Sequence, residues 1–266
     1  MEITGVDIRV QVGTFEALRA PRAEVISRRR AVVTRAEVEL PDPEGTLQAA
    51  ITVGHDVTLA FGYRGGPMQQ FTGTVDGIRQ AGPDAVTVLA AGRELALTRT
   101  TLTESFHGEP VATVARRILE RSGLPVAEVT VPDVILPHIV FATVPLWRAV
   151  RQLAESIQRG HGHDLSRHAL WLGADGLRWS AGDEPGPLYT VATGENLITH
   201  NPATAPGALS EVETVLLAGL THSMQFRLED ARRGVSGQFR AQEVRHVLTP
   251  SGNRTLIRYG ADHGWA

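Results

Sequence analysis

The chain has 266 residues, 42% of them apolar and 21% charged, with a formal net charge of −3; this is the balance of a folded protein with a sizeable core, not of a disordered one. All 26 basic residues are arginines and cysteine is absent, which excludes lysine Schiff bases, lysine nucleophiles, P-loop lysines, disulfides, thiol catalysis and cysteine metal sites. Charge is spread rather than gathered into the basic surface that nucleic acid requires.

From the amino terminus, Met1 to Val12 has neither the basic start nor the hydrophobic run of a signal peptide. No stretch approaches the roughly 20 apolar residues of a membrane span. A soluble protein assembled in the cytoplasm is therefore expected. Val6, Ile8, Val10 and Val12 alternate with polar residues and share one face of a strand. Arg28-Arg29-Arg30, followed by Arg35, is the densest charge cluster and reads as a solvated turn or a subunit contact. Val32 to Leu40 is a second strand, with Ala36, Val38 and Leu40 inward, and the Pro41-Asp42-Pro43-Glu44-Gly45 turn ends it.

The stretch from Ile51 to Ile78 reads as a series of short strands, Ile51-Thr52-Val53, Val57 to Phe61 and Phe71 to Val75, punctuated by Gly54, Gly62, Gly65-Gly66-Pro67 and Gly77. Val86 to Ala90 continues the meander. Short strands repeatedly broken by turn residues fit a barrel or sandwich. The period then changes to that of helices. Val111, Val114, Ala115, Ile118 and Leu119 form an apolar stripe after Pro110 and before Gly123. Leu146, Ala149, Val150, Leu153 and Ile157 form another, with Thr143 as the expected N-cap and an end by Gly160. Leu170 to Trp179 is a hairpin around Gly173-Ala174-Asp175-Gly176, with Trp171 and Trp179 facing across it. Asn201 to Gly207 marks a boundary, and strands resume at Val212 to Leu217, Met224 to Leu228, Gln238 to Leu248 and Arg254 to Tyr259.

The fold class expected is mainly β with an α+β connector and two β-barrel-like domains: residues 1–100 as the first, 101–200 as a helical and hairpin connector, and 201–266 as strands completing the second. No catalytic, cofactor-binding or metal-binding residue is assigned. His161, His163, Asp164 and His168 have side chains able to ligate zinc, but their spacing matches no hydrolase signature, and an exposed or capping loop is expected. His222 and His246 lie beside strands and read as packed histidines with a backbone partner. Two other function classes stay open: a metal-dependent or peptidoglycan-cleaving hydrolase using the His161–His168 segment, and a carbohydrate-binding β module using Trp171 or Trp179.

Ile51-x-x-Gly54-x-x-Val57, then Phe61-Gly62-Tyr63-Arg64-Gly65 and Phe71-Thr72-Gly73-Thr74-Val75, resembles the opening of the phage late-control D proteins, the baseplate or tail hubs of contractile tails and related injection systems. The resemblance continues through the Gly108 to Leu124 helix to Gly237-Gln238-Phe239-Arg240, Val244-Arg245-His246 and Leu256-Ile257-Arg258-Tyr259, over about four-fifths of the chain. Arg93 departs from the aspartate often found there. The resemblance implies two related barrels per chain and a homotrimer whose six barrels imitate the six-fold tail tube. It implies a location in the baseplate of a virion tail or tail-like particle. Its implied partners are the tail tube protein, a separate trimeric spike, and tape-measure or other baseplate proteins, with no cofactor, no nucleic acid and no membrane insertion. Phe61, Tyr63, Phe71, Trp171 and Trp179 are expected in core or subunit packing.

Overall fold

The computed structural model describes residues 5–18, 20 and 22–261; Met1 to Thr4, part of the amino-terminal reading above, lie outside the described residues. The chain divides into two compact units. The first comprises the described parts of Met1–Arg28, Val33–Arg93 and Pro185–Ala261, and the second Arg29–Val32 and Glu94–Glu184.

The first unit contains β1 (Val6–Val12), β2 (Phe15–Ala17), β3 (Arg22–Arg28), β4 (Arg35–Pro41), the short helix α1 (Thr46–Ala50), β5 (Asp56–Tyr63), β6 (Met68–Gly82) and β7 (Ala85–Gly92). The second unit supplies α2 (Ala96–Arg99), β8 (Thr101–Pro110), α3 (Val111–Glu120), β9 (Val126–Val129), β10 (Ile135–Pro145), α4 (Leu146–His161), β11 (Ala169–Leu172) and β12 (Leu177–Ser180). The chain then returns to the first unit with β13 (Tyr189–Ala192), β14 (Leu197–Asn201), β15 (Ser210–Val215), β16 (Gln225–Asp230), β17 (Val235–Thr249) and β18 (Gly252–Tyr259).

The first unit is one 13-stranded sheet in the order β14-β15-β18-β17-β3-β4-β7-β6-β5-β1-β2, with β16 pairing β17 and β13 pairing β16. The protein is thus mainly β with α+β elements, but the expectation of two β-barrels is overturned. Among the described residues no sheet closes: the ladder ends at β14 and β2, and its branch ends at β13. The reason is β3, which alternates Ala23, Val25 and Ser27 inward and was absent from the sequence reading. It pairs with β4 on one side and with β17 on the other, Ser27 opposite Val244 and Ala23 opposite Leu248. Strands assigned to two closed sheets are thereby joined into one open one.

Two apolar clusters pack on this sheet. One gathers Val10, Val38, Leu40, Leu59, Phe61, Val75 and Val88; the other gathers Val212, Phe226, Leu228, Val244, Ile257 and Tyr259. Phe61 and Phe71 are core residues, and Tyr63 is half-buried against them. The turn-punctuated series is also longer-stranded than expected. Residues 51–54 form no strand, whereas β6 runs unbroken through Gly77 by way of a bulge between Val75 and Gly77. Gly73 is required in that strand, because a Cβ there would collide with the Ala91 carbonyl oxygen of β7.

In the second unit the two helical stripes hold residue for residue. Val111, Val114, Ala115, Ile118 and Leu119 are the buried residues of α3, and Leu146, Ala149, Val150, Leu153 and Ile157 those of α4. They share a core with Phe106, Phe141, Leu170 and Trp179. Burying each large aliphatic side chain stabilises the unit by about 1.5–3 kcal/mol. Prolines, which lack the N–H that a first turn leaves unpaired, stand at both N-caps, Pro110 and Pro145. Thr143 is not a cap. It has φ 52° at a bulge between Phe141 and Val144 in the antiparallel β8–β10 ribbon, and its N–H donates to Thr103 Oγ1 at 3.0 Å. A three-stranded sheet, β11-β12-β9, completes the unit. Among the described residues no helix is long and apolar enough to cross a membrane.

Candidate functional site

The His161–His168 segment begins at the last residue of α4. Gly162, at φ 70°, turns the chain out of the helix and donates to the Gln158 carbonyl at 3.1 Å, the usual glycine termination. Asp164 accepts from the Ser166 N–H at 2.8 Å, and this bond holds its carboxyl below the ordinary carboxylate range. His161 and His163 are exposed. His168 is half-buried against the edge of Trp179 with Nε2 3.0 Å from the Thr130 carbonyl, and burial pushes its pKa down. Among the described residues no three His, Asp or Glu side chains are grouped so as to hold a metal ion.

The two hairpin tryptophans do not face each other. Trp171 pairs with Arg178 and Trp179 with Leu170, which puts the indoles on opposite faces of the hairpin. They are 2% and 0% exposed, so neither ring offers a face to a sugar. Trp171 Nε1 donates to Glu184 Oε2 at 2.8 Å, and the Arg29 guanidinium lies 4.8 Å over its ring. Arg29 is itself buried and donates to the carbonyls of Arg167 and Ser180; within the arginine triplet it alone departs from the solvated turn expected, since Arg28 and Arg30 are exposed.

Arg178 organises the same region. It donates to Glu128 and to both oxygens of Asp175 at 2.9 and 2.8 Å, and its Nε is 3.3 Å from Glu184 Oε2. Burial opposes the charge on Glu128, but hydrogen bonds from Thr130, Ser180 and Arg178 outweigh it and leave its pKa lowered. Gly173 leaves room for Glu184, since a Cβ there would strike the carboxylate. This cluster was not foreseen from sequence. Only the cross-strand Trp171–Arg178 pair could have pointed to it.

In the first unit, His246 is buried between the Leu220 carbonyl, 2.9 Å from Nε2, and Thr255 Oγ1, 3.0 Å from Nδ1. This is the packed role expected of it. His222 is also buried, with Nδ1 2.9 Å from Ser223 Oγ. A third histidine, overlooked in the sequence, makes the most enzyme-like arrangement: His200 Nδ1 is 2.7 Å from Asp230 Oδ2 and Nε2 is 2.8 Å from the Tyr259 hydroxyl. The bond from His200 holds the Asp230 carboxyl low against burial, helped by Thr193 and Arg232. Burial raises the Tyr259 phenol, and the trio's hydrogen bonds tie β14, β16 and β18 together as a buried brace.

What remains open in the first unit is backbone. Among the described residues β2, β13 and β14 are each paired on one side only, and such edges are where sheets accept further strands.

No protein-family model matches the chain, and no curated protein matches it in sequence. Solved structures do match in fold. A tail protein from Neisseria meningitidis MC58 superposes with a TM-score of 0.71 at 13% identity, covering 97% of this chain and 97% of that one. A 43 kDa tail protein of prophage MuSo2 from Shewanella oneidensis gives 0.69 at 11% identity, over 95% and 97%. An Escherichia coli protein, described as a component of the type VI secretion system with structural similarity to the bacteriophage T4 tail proteins gp27 and gp5, gives 0.66 at 12% identity, over 98% and 78%. The chain therefore has the fold of these tail proteins.

Proposed function

We propose that this chain is a structural, non-enzymatic hub protein of the baseplate of a phage tail or related injection system. The observation that carries this reading is a fold likeness extending over 97% of both this chain and a solved tail protein. In keeping with an assembly role, His246 and the His200–Asp230–Tyr259 trio are buried in the sheet unit, and among the described residues three strand edges stand open.

In the finer form of the proposal, three copies make an adaptor of pseudo-six-fold outline between the tail tube protein and a separate trimeric spike, with tape-measure or other baseplate proteins as further neighbours. Support for the six-fold outline comes from the two separate apolar clusters on the one sheet, which would give a trimer six packed lobes. Its work is symmetry matching and force transmission, without substrate turnover. The test is mass photometry and electron microscopy of the chain alone and with candidate tube and spike proteins. A three-fold ring is expected with at least one partner; a monomer that engages neither overturns the reading. Stoichiometric zinc, with hydrolysis lost in the His161→Ala/His163→Ala variant, would point instead to a hydrolase.

A further inference from the structure

Among the described residues β14 is hydrogen-bonded only to β15, and a cavity of about 430 Å³ is lined by each of its five residues from Leu197 to Asn201. Successive strand residues point to opposite faces. A cavity against one face would meet alternate residues, whereas one that meets all five follows the open backbone edge. Its far wall is formed by Thr193 and Gly194 after β13 and by Asp230, Arg232 and Arg233 at the β16–β17 turn.

The charge on that wall is unbalanced toward the cation. The Asp230 carboxylate already accepts from His200 Nδ1 at 2.7 Å, Thr193 Oγ1 at 3.2 Å and the Arg232 N–H at 3.0 Å. Arg233 Nε stands 3.8 Å from it, an ion pair longer than a hydrogen bond. Arg232 and Arg233 are both exposed, leaving guanidinium donors beside a strand edge. Ile198 adds an apolar contact: it falls at the register shift between Leu197 and Thr199, opposite no residue of β15, and is 38% exposed.

We propose that this groove binds an extended, acidic segment of a partner protein. The segment adds as a strand to β14 through its backbone and places a carboxylate on Arg232 and Arg233, where a charge-assisted pair is stronger than a neutral one. The inference does not rest on the hub reading, since the groove belongs to the isolated chain.

The test is fluorescence anisotropy of the full chain with a labelled, acetylated pentapeptide alternating valine and glutamate. Saturable binding is expected. It should weaken at least tenfold for the glutamine counterpart of the peptide and for the Arg232→Glu/Arg233→Glu variant, and should be lost when alternate peptide amides are N-methylated. Arg232→Gln/Arg233→Gln, a milder change at exposed positions, should weaken binding in the same direction while thermal melting stays at the wild-type value. Absence of saturation overturns the proposal. So does equal binding of the N-methylated peptide, which would mean ionic adhesion alone. Loss of self-association in the arginine variants with peptide binding unchanged would assign the groove to a second copy of this chain and also overturn it.

Discussion

His246 Nε2 lies 2.9 Å from the Leu220 carbonyl oxygen, and because a carbonyl only accepts, Nε2 carries a proton; in the neutral ring Nδ1 then accepts from the Thr255 hydroxyl, 3.0 Å away. Burial pushes its pKa from 6.5 down to about 4. The unfolded chain thus binds a proton between pH 6.5 and 4 that the folded chain refuses. Stability is full above the unfolded value, falls as pH drops through this window, and levels off below pH 4. The loss is about 3 kcal/mol. His168, also lowered by burial, adds to it with the same sign. Urea unfolding midpoints at pH 7.5, 5.5 and 4.5 should show the decline, and His246→Asn should flatten it; an unchanged slope in the variant would remove His246 as the cause.

A second acid transition should follow at lower pH. Asp42 accepts from the Leu47 and Gln48 N–H groups at 3.0 and 2.9 Å; burial opposes its charge, yet these bonds leave its carboxyl lowered. Asp164 and Asp230 are lowered too. A depressed carboxylate contributes stability above its unfolded pKa and loses it as pH falls toward the folded one. Asp42→Asn should therefore shallow the decline below about pH 4 while leaving the histidine window intact, as read from the same denaturation series.

Gly73→Ala should destabilise the first unit by about 1–3 kcal/mol, the usual range for overpacking, because the new methyl meets the Ala91 carbonyl oxygen across the β6–β7 ladder. Gly77→Ala, whose Cβ would sit at 3.4 Å from Leu89 Cδ1, should cost markedly less. Equal midpoints for the two variants in guanidinium would contradict the close approach at Gly73.

Arg178→Ala leaves Glu184 buried beside Trp171 without its cation. Breaking a pair in this way costs about 3 kcal/mol or more. The near-ultraviolet circular dichroism of Trp171 and Trp179 should fade at a lower denaturant concentration than in the wild type. If Arg178→Ala melts with wild-type values, the cluster contributes little to stability.

Hydrogen exchange tests the continuous sheet. Val25 on β3 pairs with His246 on β17 and, on its other side, with Ala36 on β4. Amides of all three strands should therefore exchange with similar protection, as one cooperative block. Independent protection of β3–β4 and β17–β18 would mean two separable sheets.

What the sequence disclosed follows from the kind of information each element needs. The stripes of α3 and α4 were readable because a helix buries residues by spacing alone, and β1, β4, β17 and β18 because alternation marks a half-buried strand. Alternation fixes which face is inward but not which strand lies alongside. The expectation of two barrels failed there, at β3, whose inward residues Ala23 and Ser27 are too small or polar to mark a strand and whose partner β17 comes from the far end of the chain. The long β8–β10 ribbon was missed because His107, Gly108 and Pro137 interrupt its apolar pattern. His200, Asp230 and Tyr259 form one hydrogen-bonded chain, yet they stand on three separate strands. No local spacing announces them.

β17 is stitched to β16 over residues 235–240 and to β18 and β3 over residues 241–249 and 243–248. Antiparallel bonds lie perpendicular to the strands, so tension along β17 loads both flanking ladders in shear, and many bonds must fail together before the strand slips. Tension applied across the sheet at β14 or β2 peels bonds one after another. The sheet consequently has a stiff axis and a compliant one, and β17, which with β6 is one of its two 15-residue strands, lies along the first.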